Sequence, residues 1–325
     1  MQLTTAQLDR ACGVLLATAA GDALGAGYEF GPPLPLDAPV EMKGGGGFNW
    51  APGEWTDDTS MALVIAEAAA TGADLRTIAA QDAITARWCA WAMEAKDIGM
   101  QTARVLGEVR NGTAAEALAA SRELHERTGH TAGNGSLMRT APVALAFLGD
   151  PDGLTEAAAA LSALTHYDPE AGEACVLWCH AIRHAVLTGT LDARAGLERL
   201  YVSSRARWAE RLSAAEHAQP QDFTRNGWVV EALQTAWCAI ATTPVPEDDL
   251  AAGEFSAGHL RLALENAVRG GRDADTVAAI AGGLLGGAYG ASAVPARWQV
   301  ALHGWPGLRA NDLIALATAA AGVAG

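Results

Sequence analysis

Two aspartate clusters stand more than two hundred residues apart: Trp55-Thr56-Asp57-Asp58-Thr59-Ser60-Met61 and Gly271-Arg272-Asp273-Ala274-Asp275-Thr276. Each joins a carboxylate pair to threonine hydroxyls, a hard-oxygen donor set suited to Mg²⁺ or Mn²⁺. If the fold unites them, they can hold two divalent cations around one substrate oxygen. Taken singly, each cluster reads equally well as a helix cap, because Asp and Thr are favoured N-caps and complement the helix dipole. Taken together they favour a shared metal site. Both precede strongly apolar runs that belong in the interior, where uncompensated carboxylates are costly and cations relieve the cost.

Other residues carry weaker signals. Glu29 lies between Tyr28 and Phe30, a setting that raises a carboxyl pKa toward general acid or base work, although a surface loop would look the same. Asp22, in Gly21-Asp22-Ala23-Leu24-Gly25, reads as a supporting or capping group rather than a ligand. Asp97-Ile98-Gly99 falls between two helical runs, where Asp is usually a cap; if it lines a pocket, it can pair with a cationic leaving group. The small residues Gly133, Asn134, Gly135 and Ser136 precede a helix and could present N–H groups to a phosphate, or form an ordinary turn. His166 follows an apolar run and fits the core as readily as a site. His180 and His184, with Cys175 and Cys179 nearby, resemble a zinc face but lack further ligands, so helix packing is the better reading. Arg205, Arg207 and Arg211 around Trp208 read as a solvated helix face.

The elements that must position these groups are helices. Apolar residues recur at i, i+3, i+4 in Leu8–Ala20, Met61–Ala70, Leu75–Glu94, Gln101–Arg110, Ala114–Arg127, Thr155–Leu164 and Glu170–Leu187. The pattern continues through Leu191–Ala215, Val229–Ala241, Ser256–Val268, Asp275–Tyr289 and Asn311–Gly322. Strand alternation is rare, Ala is abundant, and no long linker or internal repeat appears, so the expectation is one all-α domain over residues 1–325. Gly282, Gly286 and Gly290 share a helical face flanked by Gly283 and Gly287. Each costs roughly 1 kcal/mol relative to Ala in an isolated helix, which suggests close approach by another helix or a ligand, the plainer alternative being simply the central core helix.

The formal net charge of −15 argues against nucleic-acid grooves and anionic membranes as main partners. Five scattered cysteines without CxxC spacing point to reduced thiols and a cytoplasmic setting. The apolar stretch Ala11–Ala20 lacks the basic flank of a signal peptide, and Val277–Ala296 is too rich in Gly and Ala for a membrane span.

In order and type, these motifs resemble the ADP-ribosylglycohydrolase family, which includes the dinitrogenase-reductase-activating glycohydrolases. The resemblance rests on Gly21–Gly25 with Glu29, Trp55–Met61, Asp97–Gly99, Gly133–Arg139, Leu164-Thr165-His166, Gly227–Val230 and Gly271–Gly290. It implies a compact, orthogonal multi-helix bundle with a central binuclear Mg²⁺ or Mn²⁺ cleft. The implied metal ligands are Thr56, Asp57, Asp58, Asp273, Asp275 and Thr276. Glu29 would stand near the metals as a catalytic or gating carboxylate, while Gly133, Asn134, Gly135, Ser136 and His166 would contact ADP-ribose.

The expected reaction is metal-dependent hydrolysis at C1″ of the distal ribose, through an oxocarbenium-like transition state. Glu29 or an aspartate of the centre (Asp57, Asp58 or Asp275) would take the water's proton. With Asp97, Ile98 and Gly99 at the pocket mouth, a guanidinium leaving group is favoured, hence ADP-ribosyl-arginine. O-linked serine conjugates, nucleic-acid ends and small-molecule conjugates are the alternatives, and a monomer acting on ADP-ribosylated protein or small molecules is expected. Three rivals compete: an ADP-ribose-binding protein without catalysis, an isoprenoid cyclase and a binuclear phosphatase. The complete acidic set weighs against the first. The absence of a DDxxD motif and the scarcity of Phe and Tyr weigh against the second. Phosphate release from ADP-ribose would reveal the third.

Overall fold

The computed structural model describes residues 2–249 and 251–322. Its helices in chain order are α1 (Thr5–Gly25), α2 (Asp57–Ala70), α3 (Ile78–Ala92), α4 (Met100–Leu106), α5 (Ala114–Thr128), α6 (Ala141–Ala146) and α7 (Pro151–Ala163). There follow α8 (Pro169–Thr188), α9 (Val202–Ala215), α10 (Val229–Thr242), α11 (His259–Arg269), α12 (Ala274–Tyr289), α13 (Ala296–Ala301) and α14 (Ala310–Ala320). Among the described residues the only sheet is the two-residue antiparallel pair β1 (His303–Gly304) and β2 (Leu308–Arg309), so the all-α expectation holds. One continuous apolar core draws side chains from every helix. Among the described residues no helix is long and apolar enough to cross a membrane.

The centre of the bundle is the α1–α12 pair, and glycine sets its spacing. A Cβ on Gly282 would collide with the Ala17 carbonyl, and one on Gly286 with the Gly13 carbonyl. Reciprocally, a Cβ on Gly21 would strike the Ala278 carbonyl, and one on Gly25 the backbone of Asp275. The two helices therefore meet backbone to backbone, as the glycine face implied, and this contact brings the start of α12 beside the end of α1. Gly283 and Gly287 turn toward Ala141 of α6 and toward Ile182 and Ala185 of α8. Gly290 lies past the helix end at φ 89° rather than on its face.

The run Leu191–Ala215 is not one helix. Gly189 closes α8 in a left-handed cap, the Asp192 carboxylate binds the Arg194 amide at 2.8 Å, and α9 begins only at Val202. That side-chain bond offers the backbone a turn in competition with helix, which apolar spacing does not register. Arg205 and Arg207 of α9 stay on a solvated face, paired with Glu198 and Glu173, whereas Arg211 turns inward to pair with Glu170.

Candidate functional site

The two aspartate clusters open α2 and α12, and the fold brings them into one buried group. Thr56 Oγ1 lies 3.0 Å from Asp58 Oδ2 and 3.5 Å from Asp275 Oδ2, while Thr276 Oγ1 lies 3.4 Å from Asp58 Oδ2. Neither N-cap residue, Thr56 or Asp273, caps its own helix with its side chain. The start of α2 is held from α1 instead. Asp22 accepts the Thr56 amide at 2.9 Å through Oδ1, and through Oδ2 the Thr59 amide at 3.0 Å and the Thr59 hydroxyl at 2.6 Å. Capping by Asp22 thus leaves the clustered side chains free for another partner, and Asp22 takes the supporting role read from sequence.

Asp57, Asp273 and Thr276 carry this cluster to the floor of a cleft of about 1040 Å³, while Thr56, Asp58 and Asp275 lie beneath its lining. Glu29, Asp57, Asp97, Ile98, Gly99, Gly133, Asn134, Gly135, His166, Asp273 and Thr276 all line it. Glu29 is carried on a loop pinned to the second cluster: the Phe30 amide donates to the Arg272 carbonyl at 2.6 Å, and the Arg272 amide to the Gly31 carbonyl at 2.7 Å. The Gly99 amide reaches Asp57 Oδ2 at 3.4 Å, so the Asp97–Gly99 turn leans on the first cluster. A Cβ on Gly133 or Gly135 would stand 3.3 or 3.0 Å from the His166 ring, so these glycines allow the loop to lie against His166. Thr165 hydrogen-bonds His166 Nδ1 at 2.7 Å and accepts from buried Arg139 at 2.8 Å, which fixes the ring.

Two features of the loop differ from expectation. Ser136 does not reach the cleft lining; its hydroxyl is buried against Ser162 at 2.9 Å and Cys175 at 3.5 Å. The Asn134 amide already donates to the Gly227 carbonyl at 3.1 Å, so it is not free to cradle a phosphate. Its side chain instead donates to Asp273 Oδ2 at 2.6 Å. Sequence reasoning gave no role to Asn226, whose Oδ1 accepts the Asp273 amide at 3.3 Å, or to Gln101, which bridges the Thr131 and Thr165 carbonyls at 3.0 and 2.9 Å. It noted Trp228 only as part of a motif; the ring walls the cleft, with the Arg211 and Arg225 guanidiniums 5.6 and 5.2 Å from its centroid. The Asn that precedes the Gly227-Trp228 pair was the available signal. His180 bonds Thr155 and His184 bonds Thr190, so no zinc face forms.

Electrostatically the cluster is unbalanced. Burial, then the charges of Asp97, Asp273, Asp57 and Asp22, push Glu29 up to about 9. Burial, then Asp97, Asp22 and Asp273, push Asp57 up to about 8. Burial raises Asp22 to about 6 and holds Asp58 and Asp275 well above the carboxylate range. Lys96, on the rim, pairs with Glu54 at 2.5 Å rather than with this cluster. Burial and the Arg139 charge hold His166 well below its usual value, so its ring is neutral.

Divalent cations fit these donors. Glu29 Oε2, Asp58 Oδ1 and Asp275 Oδ1 are buried with no hydrogen-bond partner among the described residues. Asp22, Asp58 and Asp275 offer oxygens within 4.8 Å of one another, and so do Glu29, Asp273 and Asp275. Asp275 belongs to both sets. Orphaned hard oxygens in a buried, like-charged group are what a cation would satisfy.

Comparison with known proteins agrees with this geometry. A family model described as ADP-ribosylglycohydrolase matches residues 3–324. An ADP-ribosylarginine hydrolase Tri1 of Pseudomonas putida (strain GB-1) is 32% identical over 90% of this chain and 73% of its own. The ADP-ribosyl-[dinitrogen reductase] glycohydrolase of Rhodospirillum rubrum is 29% identical over 89% of each chain. A solved structure described as an ADP-ribosylglycohydrolase-related protein complex superposes with a TM-score of 0.70 at 31% identity, covering 98% of this chain and 99% of the other. A chain matched from end to end, with its acidic clusters joined at the floor of one cleft, belongs to the ADP-ribosylglycohydrolase family and is a glycohydrolase.

Proposed function

We propose that the enzyme releases ADP-ribose from arginine side chains with two divalent cations, Mg²⁺ or Mn²⁺, held by Thr56, Asp57, Asp58, Asp273, Asp275 and Thr276. The observation that carries the binuclear reading is Asp275, which lies close to Asp58, backed by the capping Asp22, on one side and to Glu29 and Asp273 on the other, and has one oxygen unpartnered. Glu29 joins the second triad, so it is both a candidate ligand and a candidate base.

When bound, the cations supply Lewis-acid charge that orders the ribose hydroxyls and a water. The protein's own residues do the rest. Gly133, Gly135 and His166 shape the cleft wall for ADP-ribose, and Trp228 offers an aromatic face to it. Asn134 and Asn226 fix Asp273. Glu29, Asp57, Asp58 or Asp275 takes the proton of the attacking water, and their summed negative charge stabilises the positive charge that develops at C1″.

Asp97 supports arginine as the acceptor: it lines the cleft near Asp57, where a carboxylate can pair with a departing guanidinium. The names of the Pseudomonas and Serratia relatives, both ADP-ribosylarginine hydrolases, point the same way. The test is a hydrolysis panel over arginine-, serine- and nucleic-acid-linked ADP-ribose, with and without Mg²⁺ or Mn²⁺. Cation-dependent release from arginine alone is expected; activity confined to the serine linkage would overturn the assignment.

A further inference from the structure

A second cavity of about 490 Å³ adjoins the cleft and shares Asp57, Lys96 and Asp97 with it. Its construction differs. Trp50, Trp55, Trp91 and Trp305 line it, together with Glu54 and Glu94. It therefore touches four of the chain's ten tryptophans, of which Trp55 and Trp91 belong to the core and Trp50 and Trp305 stand nearer the opening.

The charges there do not cancel. Glu54 is matched by Lys96. Glu94, just beyond α3, accepts the Trp305 Nε1 proton at 2.6 Å and has no cation partner among the described residues. With Asp57 assigned to the cation centre, Glu94 and Asp97 face Arg309 and His303 across the rest of the lining. The pocket also contains an unmet donor: Trp50 is 7% exposed, and its Nε1–H has no hydrogen-bond partner among the described residues. The indole faces already attract cations. Lys96 Nζ lies 5.0 Å from the Trp50 ring centroid, and the Arg87 guanidinium lies 4.5 Å from that of Trp305.

We propose that this cavity is a subsite for the acceptor polypeptide, taking a Lys or Arg side chain that flanks the modified arginine. The inference rests on the arginine reading above. Indole faces and an uncompensated carboxylate select a cation, and a peptide carbonyl would satisfy the unpaired Trp50 donor. The shared Asp57 and Asp97 place the subsite on the leaving-group side of the cleft, next to the bond being cut. The net charge of −15 adds long-range attraction for a basic substrate face.

The test uses synthetic peptides bearing one ADP-ribosyl-arginine flanked by Lys, Ala or Glu, assayed on the cation-loaded enzyme. Lys-flanked peptides should be cleaved with kcat/KM about tenfold above Glu-flanked ones, through KM. E94Q should erase most of that difference and E94K should invert it, while both variants retain wild-type affinity for free ADP-ribose, which a collapsed cleft would lose. Equal cleavage of all three peptides by the wild type, or a preference that survives in E94K, overturns the subsite. Failure to cleave any arginine-linked peptide overturns the arginine assignment, and the subsite falls with it.

Discussion

Asn134 donates its side-chain amide to Asp273 Oδ2 at 2.6 Å, tying the loop against which His166 packs to the N-cap of the helix that carries Asp275. The same amide nitrogen also donates to the Asn226 carbonyl at 3.0 Å, so the contact is fixed from two sides. Wall and floor of the cleft thus share one hydrogen-bonded carboxylate.

If Asp273 binds a cation, the contact tunes that site from outside it. Asn134→Ala frees the carboxylate to rotate and should weaken Mn²⁺ binding 10- to 100-fold, the usual cost of losing an outer-shell partner. Isothermal titration of the cation into both proteins measures this directly. Equal affinity would show that Asp273 is not a ligand.

Asp275→Asn removes a charge from a buried, like-charged group. The cation-free variant should melt above the cation-free wild type, because an amide needs neither to bury a charge nor to take up a proton on folding, as the raised Asp275 carboxyl must. Its cation-dependent turnover should fall more than about 100-fold, exceeding an outer-shell loss. A folded variant that keeps full activity would remove Asp275 from the centre.

Chelation should have the opposite thermal effect. At a free cation concentration about a hundred times Kd, linkage adds about 2.7 kcal/mol to stability, or roughly 4 °C in Tm for a chain of this size. Scanning calorimetry with EDTA against excess Mn²⁺ should show this rise in the wild type and lose it in the Asp275→Asn variant.

The α1–α12 contact predicts a stability effect without chemistry. Gly286→Val drives a branched side chain into the Gly13 carbonyl. Overpacking against backbone should cost about 3 kcal/mol, read as a lowered urea midpoint. Gly72→Ala, with open space at its Cβ but φ of 78°, should cost less.

His180 supplies a pH dependence remote from the acidic cluster. Burial, then the charges of Arg199 and Arg183, press its pKa down to about 4 from an ordinary 6.5. Between those values the unfolded chain binds a proton that the native ring refuses. Stability from this residue is therefore complete above pH 6.5 and is lost as pH falls toward 4. In the cation-loaded protein, His180→Gln should flatten the acid limb of the Tm profile; an unchanged slope would assign that limb to other groups.

Much of the helical architecture was legible along the chain because a 3.6-residue apolar period is a local property. The helix read from Asp275 begins one residue earlier, at Ala274, and the close approach on the Gly282–Gly286 face and the acidic openings of α2 and α12 followed from residue type and spacing alone. The break before α9 was not legible, because a side-chain turn at Asp192 interrupts an apolar pattern that continues through it.

The donor chemistry was likewise present in the sequence: paired aspartates with threonines are hard-oxygen donors wherever they fold. Tertiary structure alone decided which of them meet. Asp22 of α1 caps the start of α2, the backbone contact between α1 and α12 brings Asp275 beside it, and Asp58 and Asp275 keep unpartnered oxygens. Tertiary structure also turned Ser136 away from the cleft, recruited Asn226, and gathered Trp50, Trp91 and Trp305 from three distant segments into one pocket. A side chain's direction depends on which neighbour fills the space beside it, and those neighbours come from parts of the chain that local periodicity does not relate.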